Sequence, residues 1–174
     1  MVTVAAHSVE ADDVDPAEFE VVDFAATLSS LDKVVVAELV QGEGSNSVNL
    51  ADAKVVVSGG RGVGSTEGFA VLEELAELLG GAVGCSRVVT SAGWRPHTDQ
   101  VGQTGTKVAP DLYIACGISG ATQHLAGCRT SKTMLVINND PEASIMSHAD
   151  YAVIGDLHTV LAAIVAEVRK AQSQ

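Results

Sequence analysis

The run Gln100-Val101-Gly102-Gln103-Thr104-Gly105 offers amides and a hydroxyl without a single carboxylate. Such a set suits hydrogen bonding to a flat heterocycle and not proton abstraction. Downstream, Gly117-Ile118-Ser119-Gly120 follows the apolar run Leu112–Cys116 and leads into Ala121. Read as strand, tight turn and helix, this segment leaves backbone N–H groups free at a helix N-terminus, which suits a phosphate or pyrophosphate. Upstream, Gly60-x-Gly62-x-x-Ser65 is a partial match to the GxGxxG dinucleotide fingerprint and stands between a strand and a helix, where that fingerprint belongs. Arg61 inside it can meet phosphate bidentately.

A nicotinamide site calls for an acidic residue about 20 positions further on, to hold the ribose 2′-hydroxyl. Here that neighbourhood reads Gly84-Cys85-Ser86-Arg87. The acid is missing and an arginine stands close by. Two readings stay open on these residues: an NADP site whose 2′-phosphate meets Arg87, or a different dinucleotide held another way. His124 lies about one turn into the helix that opens after Gly120, beside the ligand-binding turn. Asn138, Asp140 and Asp156 follow strands at the carboxyl edge, where ligands bind in open α/β sheets, and otherwise serve as turn formers or caps. No nucleophile–base–acid set, paired carboxylates or HExxH is present. The expectation is a site that holds a cofactor, which would bring the chemistry.

These loops need a scaffold. Residues 54–58, 82–85, 112–116, 133–137 and 151–154 read as short apolar strands. Helices are expected from Ser65 or Thr66 to Leu79, over residues 121–127 and 142–148, and over residues 157–170. Phe69, Leu72, Leu75, Ala76 and Leu79 mark the apolar face of the first, and Val160, Leu161, Ile164, Val165 and Val168 that of the last. Alternating β and α with short connections predicts an α/β fold: a doubly wound, mostly parallel, Rossmann-like sheet with helices on both faces and right-handed crossovers. Residues 1–50 differ. They open with an acidic stretch, contain two strand-like runs at 19–24 and 33–40, and end in the polar linker 41–50. They read as the acidic remnant of an N-terminal domain, leaving 51–174 as the binding domain.

The 174 residues are 47% hydrophobic and only 3% aromatic, so the core is aliphatic, as a sheet covered on both faces requires. The net charge of −12 argues against nucleic acid or an anionic membrane as partner and leaves room for a basic protein. Cys85, Cys116 and Cys128 lack metal-ligand spacing, so buried free thiols are expected and a metal site or disulfide is not. Neither a membrane-length apolar run nor a basic-plus-apolar leader is present, and no membrane insertion is expected.

Taken together, VVVSGGRGVGS (55–65), CSR (85–87), QVGQTG (100–105), GISGATQHLAG (117–127), SKT (131–133) and INND (137–140) resemble the FAD-binding domain of the electron-transfer flavoprotein alpha subunit, over residues 54–170. The resemblance implies FAD as cofactor. It places Arg61 with Gly62 at the flavin phosphate loop, and Ser86 and Arg87 beside the isoalloxazine. Gln100, Val101, Gly102, Gln103 and Thr104 fall at the ring, with the threonine hydroxyl near N5. Gly117, Ile118, Ser119, Gly120, Ala121 and Gln123 form the pyrophosphate-facing turn, and His124 lies at the C2 carbonyl. Asn138, Asp156 and Leu157 fall along the adenosine half. The chain departs at Ser91, Asn139 and Cys128, where the family usually has aspartate, lysine and an apolar residue such as methionine. The implied role is an electron carrier that takes electrons from flavoprotein dehydrogenases and passes them to a quinone oxidoreductase or other acceptor through a semiquinone. Its partner would be the beta subunit, in a bacterial cytoplasm or a mitochondrial matrix. An NADP-binding module of a pyridine-nucleotide oxidoreductase or transhydrogenase is the alternative, and a structural domain that has lost its ligand is the third reading.

Overall fold

The computed structural model of the chain describes residues 48–173 together with Val22 and Ala25. The strand-like runs at 19–24 and 33–40 and most of the 41–50 linker lie outside the described residues.

Five strands form one sheet: β1 (Val55–Gly59), β2 (Ala82–Cys85), β3 (Leu112–Cys116), β4 (Thr133–Asn138) and β5 (Tyr151–Ile154). They run parallel in the order β2-β1-β3-β4-β5. The pleat sends alternate residues to opposite faces, and the sequence fills both with aliphatics. Val57 and its neighbour in register, Ile114, join one core with Leu72, Leu75, Leu161 and Val165. Val56 and Tyr113 join the other with Leu125, Val136 and Ile145. The doubly wound α/β expectation therefore holds. Helices α1 (Ala70–Leu78) and α4 (Leu157–Gln172) pack on the first face, and α3 (Thr122–Cys128) on the second. Leu72, Leu75 and Leu161 are fully buried. Each contributes about 1.5–3 kcal/mol relative to exposure.

Boundaries differ in informative ways. The first helix starts later than its capping residues suggest. A 3₁₀ turn, Glu67–Phe69, comes first, and Ser65 Oγ accepts from Gly68 N at 3.3 Å. Ser65 thus caps that turn. Residues 87–91, unassigned by pattern, form a short helix, α2 (Arg87–Ser91). The expected helix at 142–148 is a 3₁₀ segment, Ser144–His148. Asp156 caps α4, accepting from Thr159 N at 2.9 Å and Thr159 Oγ1 at 2.6 Å, and these bonds hold its carboxyl below the usual range. All three cysteines are buried and unpaired, their thiols pushed up to about 12, 12 and 11 for Cys85, Cys116 and Cys128 by burial.

Two backbone contacts without side chains hold the loops beyond the sheet. Gly62 N donates to Gly117 O at 3.0 Å, and a Cβ on Gly62 would stand 2.7 Å from Gly117 Cα. Gly117 also has φ +61°, a region glycine enters without cost. The loop after β1 is thereby fastened to the loop after β3. The second contact joins Gly127 of α3 to Gly102, where a Cβ on Gly127 would stand 2.5 Å from Gly102 Cα. Gln103 N donates to Gln123 O at 2.7 Å and Val108 N to Gly127 O at 2.8 Å on either side of it.

This gives a test of sign. In a free helix, glycine to alanine gains about 1 kcal/mol. At position 127 the added carbon meets backbone that cannot yield, so Gly127→Ala should destabilise the chain by about 1–3 kcal/mol in urea unfolding. A stabilised variant would show that α3 and the 100–105 loop are not in contact.

Candidate functional site

The strand order fixes where a site must lie. From β1 the chain goes outward to β2 and then returns to the other side of β1 for β3, so the winding reverses between β1 and β3. At such a reversal the loops at the carboxyl ends diverge and leave a crevice. A cleft of about 530 Å³ opens there. It is lined by Arg61 and Gly62 after β1, Ser86 and Arg87 after β2, residues 100–104, and Gly117, Ile118, Ser119, Ala121, Gln123 and His124 after β3. Asn138, the last residue of β4, lines it as well.

Three expected positions lie elsewhere. Gly120, with φ +89°, turns its backbone against Ile145, which closes the chain into α3. Asp156 is the cap of α4, and Leu157 is buried in the α1–α4 core. None of the three lines the cleft. Asp140, expected at the carboxyl edge, does line it, as do Val88, Ser91, Asn139 and Ala143, for which the sequence carries no site signal. Val88 and Ser91 stand on α2; serine at 86 and glycine at 93, a start and a stop signal, were the cues for that helix.

The charge in the cleft is unbalanced. Among the described residues neither Arg61 nor Arg87 is in a salt bridge, whereas Arg95 is paired with both Glu73 and Asp99. The lining holds two arginines, one carboxylate (Asp140) and no glutamate. The amides of Ser119 and Ala121 have no hydrogen-bond partner among the described residues. The helix behind them, α3, has seven residues, so its dipole adds little to what these amides offer. The site is nevertheless built for an anion with a flat polar body.

His124 is 6% exposed, and its Nε2 shares a hydrogen bond of 2.9 Å with the hydroxyl of Tyr113 at the centre of the sheet. Nδ1 is buried with no partner of good hydrogen-bond geometry among the described residues. Burial pushes the imidazole down to about 4, against a smaller upward pull from the Val101 backbone. The ring is neutral at pH 7, so His124 serves as a hydrogen-bonding group and leaves the positive charge to the arginines. Burial also raises the Tyr113 hydroxyl well above its ordinary value, so it keeps its proton.

Gln100 departs from the heterocycle-binding role. It is 2% exposed, its Oε1 accepts from Thr90 Oγ1 at 2.7 Å, and its Nε2 donates to Thr104 Oγ1 at 2.9 Å. Both ends of its amide are engaged by protein. Gln103 and Thr104 are the exposed polar members of the loop.

Residues 49–129 match the family model described as the electron transfer flavoprotein FAD-binding domain. The chain is 46% identical over 156 residues to the electron transfer flavoprotein subunit alpha of Thermoanaerobacterium thermosaccharolyticum, covering 90% of this chain and 47% of that protein. It is 51% identical over 138 residues to the subunit of the same name from Bacillus subtilis, covering 79% and 42%. The chain belongs to the electron transfer flavoprotein alpha family. Against the relative from Paracoccus denitrificans the identity is 56% over 117 residues, 67% of this chain and 38% of that one. The chain thus spans 38% to 47% of the length of these relatives. Among the described residues no helix is long and apolar enough to cross a membrane, and no cluster of metal-ligating side chains is found.

His124 makes stability depend on pH. Its pKa is about 4 folded against 6.5 unfolded, so the unfolded chain binds the extra proton between those values. The stability is fully present above about pH 6.5 and is lost as pH falls toward 4, by ~2 kcal/mol between pH 7.5 and 4.5. Urea unfolding of His124→Gln should show a correspondingly flatter profile. An unchanged profile would mean that His124 is not held neutral.

Proposed function

We propose that this chain binds FAD in the cleft at the β1/β3 reversal and serves as the electron-carrying domain of an electron-transfer flavoprotein. The observation that carries this reading is the cleft's own chemistry: two unpaired arginines, free turn amides and a buried, unpartnered imidazole nitrogen in one crevice. The donor set fits the cofactor. Arg61 and the Ser119 and Ala121 amides are suited to its pyrophosphate. Arg87, Thr104 and His124 are suited to the edge of an isoalloxazine, and Asn138 to the adenosine side. When bound, FAD supplies the redox chemistry, taking electrons from a reduced donor and passing them to an acceptor.

This chain's residues bind, orient and bias. Arg87 carries a guanidinium whose planar head suits a ring edge where negative charge gathers on reduction. His124, neutral and fixed by Tyr113, offers one ring nitrogen to a ligand without adding charge. The donor and acceptor of electrons are a flavoprotein dehydrogenase and a quinone-linked or other oxidoreductase. The beta subunit of the flavoprotein covers the open side of the cleft. The missing ribose acid excludes neither nucleotide by itself, and the match to the FAD-binding family model is what favours FAD over NADP.

Mass spectrometry of the ligand released from the denatured complex with the beta subunit should show one FAD per chain. FMN, NADP or no nucleotide would overturn the reading. Arg61→Ala and Arg87→Ala should each weaken FAD binding about tenfold to a hundredfold by fluorescence titration, the loss of one charge-assisted hydrogen bond. Arg87→Lys should fall between.

A further inference from the structure

The Thr90 hydroxyl has one hydrogen and two acceptors in reach: Gln100 Oε1 at 2.7 Å and the Arg87 carbonyl at 2.9 Å. Gln100 cannot move to accommodate the choice. Its backbone N–H donates to His97 O at 3.0 Å, its carbonyl accepts from Thr106 N at 2.7 Å, and its side chain is 98% buried between Thr90 and Thr104. What remains free is the sense of the carboxamide.

Two hydrogen-bond patterns therefore share one set of heavy-atom positions. In the first, Thr90 donates to Gln100 Oε1 and Gln100 Nε2 donates to Thr104 Oγ1. Thr104 has then accepted from protein and keeps its own hydrogen for the cleft. In the second, the carboxamide is turned by half a revolution. Thr90 gives its hydrogen to the Arg87 carbonyl and accepts from Gln100 Nε2, while Thr104 donates to Gln100 Oε1. Thr104 then presents only lone pairs to the cleft. No side chain gains or loses a proton in passing between the two. The exchange is a rotation of one amide and two hydroxyls, and in each pattern every polar heavy atom of the three side chains keeps a hydrogen-bond partner.

We propose that Gln100 is a positioning residue, and that the Thr90–Gln100–Thr104 relay sets the exposed Thr104 hydroxyl as donor or acceptor to match a ligand ring nitrogen that changes from bare to protonated on reduction. A flavin has such a nitrogen, so the proposal rests on the FAD reading above. The relay lets one hydroxyl serve both redox states without moving the backbone of the 100–105 loop, which the Gly102–Gly127 contact holds rigid. A fixed polarity would instead leave one state facing a hydroxyl of the wrong sense, a mismatch worth about threefold to tenfold in affinity.

The direct test is NMR on the full chain with saturating FAD, following the Gln100 side-chain NH₂ protons, assigned by their disappearance in Gln100→Met. With oxidised FAD these protons should show cross-relaxation to the Thr104 methyl. After reduction by dithionite it should transfer to the Thr90 methyl. Contacts to the same threonine in both states would overturn the relay while leaving FAD binding intact. A chain that takes up no FAD, in the presence of the beta subunit as well, would overturn the functional reading and the relay with it. Gln100→Met should also weaken both redox states by a similar factor, about threefold to tenfold. Unchanged affinity for both would show that Gln100 only fills space.

Discussion

Two places where backbone meets backbone with no side chain between them fix everything else about the site. Gly62 lies on Gly117, and Gly102 lies on Gly127. The first contact joins the loops after β1 and β3 across the reversal of winding. The second seats the amide-rich 100–105 loop on α3. Close packing of this kind is unforgiving, because a single methyl group at such a contact has nowhere to go without shifting main chain. The position of Arg61, the direction of the turn amides and the height of Thr104 over the cleft follow from these contacts. The sheet's apolar rows supply the stability that keeps them together.

The division of labour inside the cleft follows from burial. The imidazole is deep, neutral and tied to Tyr113, whereas Arg61 and Arg87 are exposed and, among the described residues, in no salt bridge. A buried charge at His124 would cost more than it returned, while charge at the rim stays hydrated until a ligand arrives. Positive character is thus held at the mouth and hydrogen-bonding specificity in the floor. The network beneath residues 100–104 belongs to the same floor, and its directionality is a property of Thr90, which lies outside the cleft.

Much of this was legible in the sequence. Parallel strands buried on both faces appear as uninterrupted apolar runs, so 112–116, 82–85 and 151–154 are found with the bounds the structure gives, and 54–58 is displaced by one residue. The glycine turns point to the sheet edge at which the cleft opens. What the sequence hid has physical causes. The β-branched Val88-Val89-Thr90 run disguised α2, whose helical state is set by Val89 packing into the core. Asp156 and Leu157 carry polar and apolar identities that a cap and a core position explain without a ligand. Gln100 in a glycine-rich loop resembles a ligand contact, and nothing local shows that Thr90, ten residues earlier, claims one end of its amide.

The central claim is that the cleft is built by the protein alone, with its walls locked by backbone contacts before any ligand arrives. Amide hydrogen exchange on the ligand-free chain tests it most directly, at Gly62, whose N–H bonds to Gly117 O, and at Gln103 and Val108, whose N–H groups bond to α3. Protection at these three amides close to that of Ile114 in the central strand is the result this account predicts. Exchange at the rate of an open loop, with protection appearing only after FAD is added, would contradict it.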